Sequence, residues 1–278
     1  MIRQRSHDIK AGVRLDERLV HEGLADTRAR AQATVLAGRV TVDGAVVDKP
    51  GRRVTPEMRI EVIVPAHPYV GRGGLKLAHA LTAFGLDVRD AVAIDLGAST
   101  GGFTDCLLRA GAARVYAVDV GRGQLAWSLR QDPRVSIMEE TNARHLMPEQ
   151  FPDACDLVTA DLSFISLRLV WGAIARLDRP GGHVIALVKP QFEAGRAAVR
   201  RGGVVRDPAV HAAVLGETFA AAAEARLTPV AVTASPITGP AGNIEYLVHL
   251  RPSAGTQPAI DIAGAVADAH ARLGRRGA

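Results

Sequence analysis

The sequence is poor in the features that secreted, metal-binding and membrane proteins need. Its two cysteines, Cys106 and Cys155, lie far apart and form no C-x-x-C motif, so we expect neither a disulfide framework nor a metal site. No segment approaches about 18 consecutive apolar residues, the length that a membrane-spanning helix requires. Met1–Lys10 is charged and polar and lacks the apolar stretch of a signal peptide. A soluble, cytoplasmic protein with no membrane partner is therefore expected.

Lysine is scarce as well, although the chain of 278 residues is basic, with a formal net charge of +5. Of its 34 cationic residues, thirty are arginines and only four are lysines. This preference reflects genome composition more than physics. It nevertheless draws attention to each lysine that remains, and above all to Lys76 and Lys189.

The first 64 residues have the pattern of a small α+β domain. Two short helices come first, and the second can begin at Asp26 or Thr27 and ends at Gly38. A hairpin follows around Asp43-Gly44, and Arg59–Val64 is predicted to be a further strand. A domain of this size buries little apolar surface, so it is expected to lean on a partner surface.

Residues 65–68, Pro-Ala-His-Pro, form the predicted linker to a larger domain, residues 69–278. In that domain apolar strands alternate with helices, which favours an α/β fold with a mainly parallel sheet covered on both faces. The last two strands lie close together, which favours an antiparallel edge. The prediction is a doubly wound, Rossmann-like sheet of seven strands: 91–97, 114–119, 135–138, 156–161, 183–189, 228–234 and 244–250.

Ligands of doubly wound sheets lie beyond the carboxyl ends of the strands, so the residues that follow each strand are the candidates for ligand binding. The first strand ends in an acid and a glycine-rich turn, and Asp119 closes the second strand. This arrangement resembles the S-adenosylmethionine site of Rossmann-like methyltransferases, while a tight turn in another nucleotide-binding fold is the alternative. Asn142 is placed either to touch the adenine or only to form a turn. The predicted cofactor residues are Asp95, Gly97, Ser99, Thr100, Gly101, Gly102, Asp119, Asn142 and Asp161.

Four charged residues are predicted to converge at one edge of this crevice. Lys76 follows a glycine-rich entry to the helix before the first strand, and Glu245 is expected inside the last strand. Asp161 and Lys189 end the fourth and fifth strands. A charge in an apolar strand is costly unless it is paired or used, so the set is either a group of structural ion pairs or a reaction centre.

The residues after Asp161 distinguish between types of methyl acceptor. Methyltransferases of this fold that act on amines carry an N/D-P-P-Y/F motif at this point. Here Leu162 and Ser163 replace both prolines, although Asp161 and Phe164 fit the pattern. This departure argues against methylation of a base nitrogen.

The four charged residues resemble the tetrad of FtsJ-type ribose 2′-O-methyltransferases, and the whole chain resembles the TlyA family, also known as haemolysin A. The most specific strings are G-R-G-G-L-K-L (71–77), D-L-G-A-S-T-G-G-F-T-D (95–105), T-A-D-L-S-F-I-S-L (159–167) and L-V-K-P-Q-F-E (187–193). The resemblance implies methyl transfer from S-adenosylmethionine to the 2′-hydroxyl of cytidine in 16S or 23S ribosomal RNA. Family members modify one or both subunits, and Met1–Val13 ahead of the first motif favours the dual type.

The N-terminal domain resembles the alpha-L RNA-binding domain of ribosomal protein S4. The matching residues are Arg14-Leu15-Asp16, Thr27-Arg28 and the hairpin sequence 38–44. The resemblance implies a partner in ribosomal RNA or ribosomal subunits, with arginines neutralising phosphates. With aromatic residues at 4%, a base-stacking platform for single strands is a poor alternative. The candidate RNA contacts are Arg14, Arg18, Arg28, Arg30 and Arg39, together with Arg200 and Arg201 in the loop 191–206, which is either ordered by RNA or merely mobile.

The chemistry of the reaction explains why lysine is retained in the tetrad. A ribose hydroxyl is a poor nucleophile, and an arginine stays protonated and cannot remove its proton. The hypothesis is that Lys189 is the base, Asp161 orients it, and Lys76 disfavours its protonated form. Glu245 then holds Lys76 or the ribose, and roles within the set can be exchanged.

Two other functions remain as alternatives. A membrane-active haemolysin needs an apolar span or a basic amphipathic helix, whereas the helix predicted at 209–225 is rich in alanine and lightly charged. A non-catalytic RNA-binding assembly factor needs no tetrad.

Overall fold

The computed structural model divides into two compact units, Met1–Pro68 and Tyr69–Ala278. The structure describes residues 12–25, 27–36, 38–63, 67–195, 199, 203–252 and 258–274.

The first unit packs two helices against short strands. The Asp43-Gly44 hairpin turn has positive φ at both residues, 52° and 79°, the geometry that lets a two-residue turn match the twist of its strands. Strand β1 pairs with β4, and β2 lies between β3 and β5, all antiparallel. The elements are β1 (Val13–Arg14), α1 (Leu15–His21), α2 (Arg28–Leu36), β2 (Val40–Val42), β3 (Ala45–Val47), β4 (Arg53–Val54) and β5 (Ile60–Val62).

The second unit is built on a seven-stranded sheet, so the predicted Rossmann-like α/β fold is confirmed. Its strands are β6 (Val92–Leu96), β7 (Arg114–Val118), β8 (Val135–Met138), β9 (Cys155–Ala160), β10 (Asp178–Val188), β11 (Leu227–Ala234) and β12 (Tyr246–Pro252). Their order in the sheet is β11-β12-β10-β9-β6-β7-β8. Strand β12 is antiparallel to both neighbours, and the other pairings are parallel.

Helices cover both faces of this sheet because alternate residues of each strand point in opposite directions. Ala93 and Leu157 face one side, whereas Ile94 and Val158 face the other. Helices α3 (Gly73–Phe84), α4 (Gly102–Arg109) and α5 (Trp127–Arg130) pack on the first side. Helices α6 (Trp171–Leu177), α8 (Pro208–Glu224) and α9 (Ile262–Leu273) pack on the second, and the short α7 (Pro190–Glu193) follows β10.

Three local expectations need correction. Strand β12 begins at Tyr246, so Glu245 precedes the strand instead of lying inside it. The sequence also predicts a helix over residues 167–177, but Leu167–Leu169 form a 3-10 turn and α6 starts only at Trp171. Helix α9 was not predicted, although Asp261 caps it by accepting a hydrogen bond from the Gly264 amide at 2.7 Å.

The order of the strands reverses between β6 and β9, the two central neighbours. From β6 the chain continues outward through β7 and β8, whereas β9 and β10 continue in the opposite direction. The carboxyl ends of adjacent strands at such a reversal leave a crevice where ligands bind. The loops after β6 and β9 are therefore expected to form the ligand-binding site.

Candidate active site

The loop after β6 requires glycine because it passes against the loop after β9. Gly97 has φ +81°, and a Cβ added there would lie 2.7 Å from the backbone oxygen of Asp161. Gly101, with φ +95°, begins α4 and would meet the Leu129 side chain. The close approach of the two loops brings residues of β6 and β9 to one crevice.

The Asp95 side chain does not reach this crevice, and its predicted role in cofactor binding stays a prediction. Its side chain is fully buried on the α4 side of the sheet. Thr104 donates to one carboxylate oxygen at 2.7 Å, and Thr159 donates to the other at 2.9 Å. Asp95 therefore ties α4 and β9 to the strand and supports the loop from below.

Burial raises the pKa of Asp95 to about 6, from an ordinary value of 3.8. The folded state then holds this proton more tightly than the unfolded state, so the group stabilises the fold below about pH 4 and loses that contribution as pH rises through 6. A shift of this size corresponds to about 3 kcal/mol. We expect the free energy of unfolding of the wild type, measured relative to Asp95→Asn by urea denaturation, to fall by up to that amount between pH 4 and pH 7. A pH-independent difference would contradict the assignment.

The four predicted tetrad residues line one cavity of about 250 Å³, named here the tetrad cavity. Lys76 in α3 donates to Glu245 at 2.6 Å, and both side chains are buried. Lys189, at the end of β10, lies 2.7 Å from Asp161 Oδ1. The convergence expected from the strand ends is thus present, as two lysine–carboxylate pairs that share a cavity.

A second cavity of about 470 Å³, named here the Asp119 cavity, opens on the β7 side. One Asp119 oxygen accepts from the Ser99 amide at 2.8 Å, and the other accepts from the Gly121 amide at 2.7 Å. Each oxygen keeps further lone pairs for a ligand. Val120 beside it is an exposed apolar side chain in the same wall.

Asn142 serves the turn and also lines the Asp119 cavity. Its side-chain oxygen accepts from the Arg144 amide at 3.0 Å and caps the 3-10 turn Ala143–His145. Forming the turn and contacting the adenine are therefore compatible roles for Asn142.

The two cavities share one wall. Gly97, Ser99, Asp161 and Ser163 line both of them. Thr100 and Gly102 line only the tetrad cavity, and Gly101 lines neither. A group bound in the Asp119 cavity and a group bound in the tetrad cavity can therefore meet at this wall.

The loop after β9 carries two features that the sequence analysis did not use. Ser163 Oγ accepts from Lys189 Nζ at 2.9 Å. Glu193 in α7 accepts from the Ser166 hydroxyl at 2.6 Å and from the Leu167 amide at 2.8 Å, which fastens the loop to the segment that follows Lys189. The only sequence signal for either contact is that both residues fall within the strings around Asp161 and Lys189.

The N-terminal arginines separate into internal and external groups. The Arg18 side chain is 13% exposed and bonds Glu22 and the backbone oxygens of Thr55, Pro56 and Met58. These contacts give Arg18 a structural role and leave little of it for RNA.

Arg14 and Arg28 surround a buried acid. Both bond Asp16, to which Gln32 also donates at 2.8 Å. The hydrogen bond from Arg14 holds the pKa of Asp16 well below its usual range. Their guanidinium groups are thus partly engaged within the domain.

Arg30 and Arg39 differ from these three arginines. Arg30 is exposed and Arg39 is half-buried, and within the described part of the chain neither guanidinium forms an ion pair. Their role in RNA binding stays a prediction. Arg200 and Arg201 lie outside the described residues.

Two known protein families match separate parts of the chain. Residues 69–252 match the FtsJ-like methyltransferase family, and residues 13–60 match the S4 domain.

Similar proteins cover nearly the whole chain. YqxC of Bacillus subtilis, named as an rRNA methyltransferase, is 47% identical over 266 residues, which cover 94% of this chain and 95% of the relative. The 16S/23S rRNA (cytidine-2′-O)-methyltransferase TlyA of Mycobacterium tuberculosis is 46% identical over 239 residues, 86% of this chain and 89% of the relative. A solved structure from Streptococcus thermophilus, named as a hemolysin, has a TM-score of 0.73 at 42% identity and covers 96% of this chain and 98% of that one.

Proposed function

The chain belongs to the FtsJ-like methyltransferase family, and from this premise we propose that it methylates the ribose 2′-hydroxyl of cytidine in ribosomal RNA. The observation that carries the proposal is the tetrad cavity, where two lysine–carboxylate pairs lie beside a second cavity suited to a nucleoside. The S4 domain at residues 13–60 supports an RNA substrate. A ribosomal RNA substrate would place the reaction in the cytoplasm.

S-adenosylmethionine is the cofactor, and when bound it supplies a methyl group on a positively charged sulfur. The Asp119 cavity fits its adenosyl part, because Asp119 offers carboxylate oxygens to ribose hydroxyls and Val120 offers an apolar surface to the adenine. The shared wall at Gly97 and Ser99 leads from there toward the tetrad.

Lys189 is proposed to accept the proton of the 2′-hydroxyl. The bound donor would supply the methyl carbon to the ribose oxygen and keep the electron pair of its carbon–sulfur bond, so the residues of this chain have only the hydroxyl proton to remove. The proton passes from the hydroxyl to Lys189 Nζ and then to solvent. Asp161, at 2.7 Å, keeps Nζ in place, and the Lys76–Glu245 pair supplies a second cation in the same cavity. Holding the reacting groups in line contributes the rest of the rate.

Phe164 supports a nucleoside as the methyl acceptor. Its ring is 90% exposed and stands beside Ser163 at the Asp119 cavity, where φ of +64° turns it outward. The Phe192 ring packs against the Phe164 ring, with 5.2 Å between the ring centroids. An exposed aromatic ring next to a ribose site is suited to stack on an unpaired base.

The function is tested by incubating the purified protein with tritiated S-adenosylmethionine and unmethylated ribosomal RNA, free or as assembled subunits. We expect label in RNA, resistance of one or more cytidine linkages to alkaline cleavage, and loss of both with Asp161→Ala. RNA binding without label would instead favour an assembly factor, and label on a base nitrogen would contradict ribose methylation. Comparing 16S and 23S RNA as substrates tests whether one or both ribosomal subunits are modified.

A haemolytic activity is the competing function suggested by the names of some relatives. Within the described residues, no helix is both long and apolar enough to cross a membrane. Lysis of red cells by Asp161→Ala protein in the absence of the methyl donor would favour it.

Arg30 and Arg39 are expected to contact RNA phosphates. Replacing either with alanine should weaken RNA binding at every sequence and lower the slope of log affinity against log salt by about one unit. Arg59→Ala is the matched control, since Arg59 is exposed in the same unit but pairs with Glu61. Slopes equal to the control, measured by filter binding from low to high salt, would remove both residues from the interface.

A further inference from the structure

Lys189 Nζ is held by two oxygen atoms and not by Asp161 alone. Asp161 Oδ1 lies at 2.7 Å and Ser163 Oγ at 2.9 Å. Both acceptors come from the loop after β9, whereas Lys189 ends β10. In the part of the chain that the structure describes, Ser163 is the one side chain that accepts a hydrogen bond from this nitrogen, and the Asp161 contact is an ion pair without hydrogen-bond geometry.

One hydrogen-bond acceptor and one nearby carboxylate together determine where the reactive electron pair of Lys189 points. An amine nitrogen has four tetrahedral positions: one is the bond to Cε, two are N–H groups, and the fourth is the lone pair. One N–H points at Ser163 and the Asp161 carboxylate attracts the other, which leaves the lone pair one favoured direction. With the Asp161 ion pair alone, no hydrogen bond fixes the rotation of the nitrogen, and the lone pair points in several directions, which lowers the fraction of productive orientations.

We propose that Ser163 is a positioning residue of the methyl transfer, which fixes the Lys189 lone pair on the 2′-hydroxyl. This inference rests on the proposed function. The serine acts through Lys189: it accepts an N–H hydrogen bond before and after the proton moves, and it neither gains nor loses a proton itself. Its placement in the wall common to both cavities puts this contact where donor and acceptor meet.

The surrounding contacts hold Ser163 in place. Glu193 fastens Ser166 and Leu167 to α7, the helix that begins directly after Lys189. The loop carrying Ser163 and the chain carrying Lys189 are therefore tied together at a second point. A proline at this position, as in the amine-methylating motif, has no hydroxyl and could not accept the hydrogen bond.

Ser163→Ala tests the proposal with Ser163→Thr as the variant that keeps the hydroxyl. We expect Ser163→Ala to lower kcat about tenfold to a hundredfold, the usual effect of losing a hydrogen bond to a charged group. KM for RNA and Kd for S-adenosylhomocysteine should change by less than about twofold, because the hydroxyl that is lost bonds Lys189 and is not needed to bind either ligand in the proposed role. Ser163→Thr should recover most of kcat. Ser128→Ala, a surface serine on α5, is the control expected to match the wild type.

The possible outcomes separate this inference from the proposed function. If the wild type labels RNA and Ser163→Ala has the same kcat, the positioning role is wrong and the proposed function stands. A fall in S-adenosylhomocysteine affinity as large as the fall in kcat would make Ser163 a donor-binding residue, which also overturns the inference. A Ser163→Thr protein that is as inactive as Ser163→Ala, although circular dichroism shows an intact fold, would also overturn the inference. If the wild type itself transfers no methyl group to ribosomal RNA, both are overturned.

Discussion

Lys189→Met and Lys189→Arg are both expected to lower kcat for RNA methylation by about 10²- to 10⁴-fold, the range attributed to a general base. Methionine fills the space of the lysine stem but carries no proton acceptor. Arginine keeps the charge and the chance to pair with Asp161, yet it cannot be deprotonated in a protein. If charge alone were needed in the tetrad cavity, arginine would be active and methionine would not.

Single-turnover methylation with saturating RNA and S-adenosylmethionine measures this effect on the chemical step. Calorimetric titration with S-adenosylhomocysteine should give near wild-type affinity for both variants, since Lys189 does not line the Asp119 cavity. Lys49→Arg, the same substitution at an exposed lysine of the N-terminal unit, serves as the matched control. Methylation by Lys189→Arg at the wild-type rate would move the base to another residue.

Variants of the Lys76–Glu245 pair are expected to give the second large effect. Different variants of the pair should change stability and activity to different extents. The side chains are 9% and 2% exposed, and their charged atoms are 2.6 Å apart. Glu245→Ala leaves the Lys76 charge buried without its partner, which is expected to cost about 3–5 kcal/mol in the free energy of unfolding. Methyl transfer should be lost with it.

The double variant Lys76→Met, Glu245→Leu separates the two roles. Apolar side chains of similar volume remove both buried charges, so we expect most of the lost stability to return. Activity should stay absent, because the tetrad cavity then lacks two of its four charged groups. Urea denaturation gives the stabilities, and tritium transfer gives the activities. Activity in the stable double variant would show that the pair is structural.

The sequence predicted the convergence of the tetrad because of a general property of parallel sheets. Strand ends that follow each other in the chain meet at one edge, so Asp161 and Lys189 could be placed together without knowledge of the side chains. Lys76 was found through its scarcity and its glycine-rich surroundings. The contact to Ser163 was missed because a hydroxyl two residues beyond the expected acid has no signature of its own.

Asp95 shows that the alternation of side chains along a strand must be considered together with the glycine turn that follows it. It shares strand parity with Ala93, so it points toward α4 and away from the crevice. The alternation of side chains along the strand predicts this direction. Asp95 was nevertheless assigned to the cofactor site, because it precedes the glycine-rich turn. Arg18 is a different case, because its carbonyl partners lie 37–40 residues further along the chain, beyond what local patterns describe.

The long sequence separation of the Lys76–Glu245 pair has a consequence for biosynthesis. The partners are 169 residues apart, and Glu245 precedes β12, the strand that enters the sheet between β10 and β11. A growing chain therefore carries Lys76, Asp161 and Lys189 for some time before the fourth member of the set leaves the ribosome. During that interval the amino group of Lys76 lacks its Glu245 partner, and β12 has not yet joined the sheet. The set of four charged residues is thus completed late in synthesis, and an unfinished chain attached to a ribosome does not yet contain all of it.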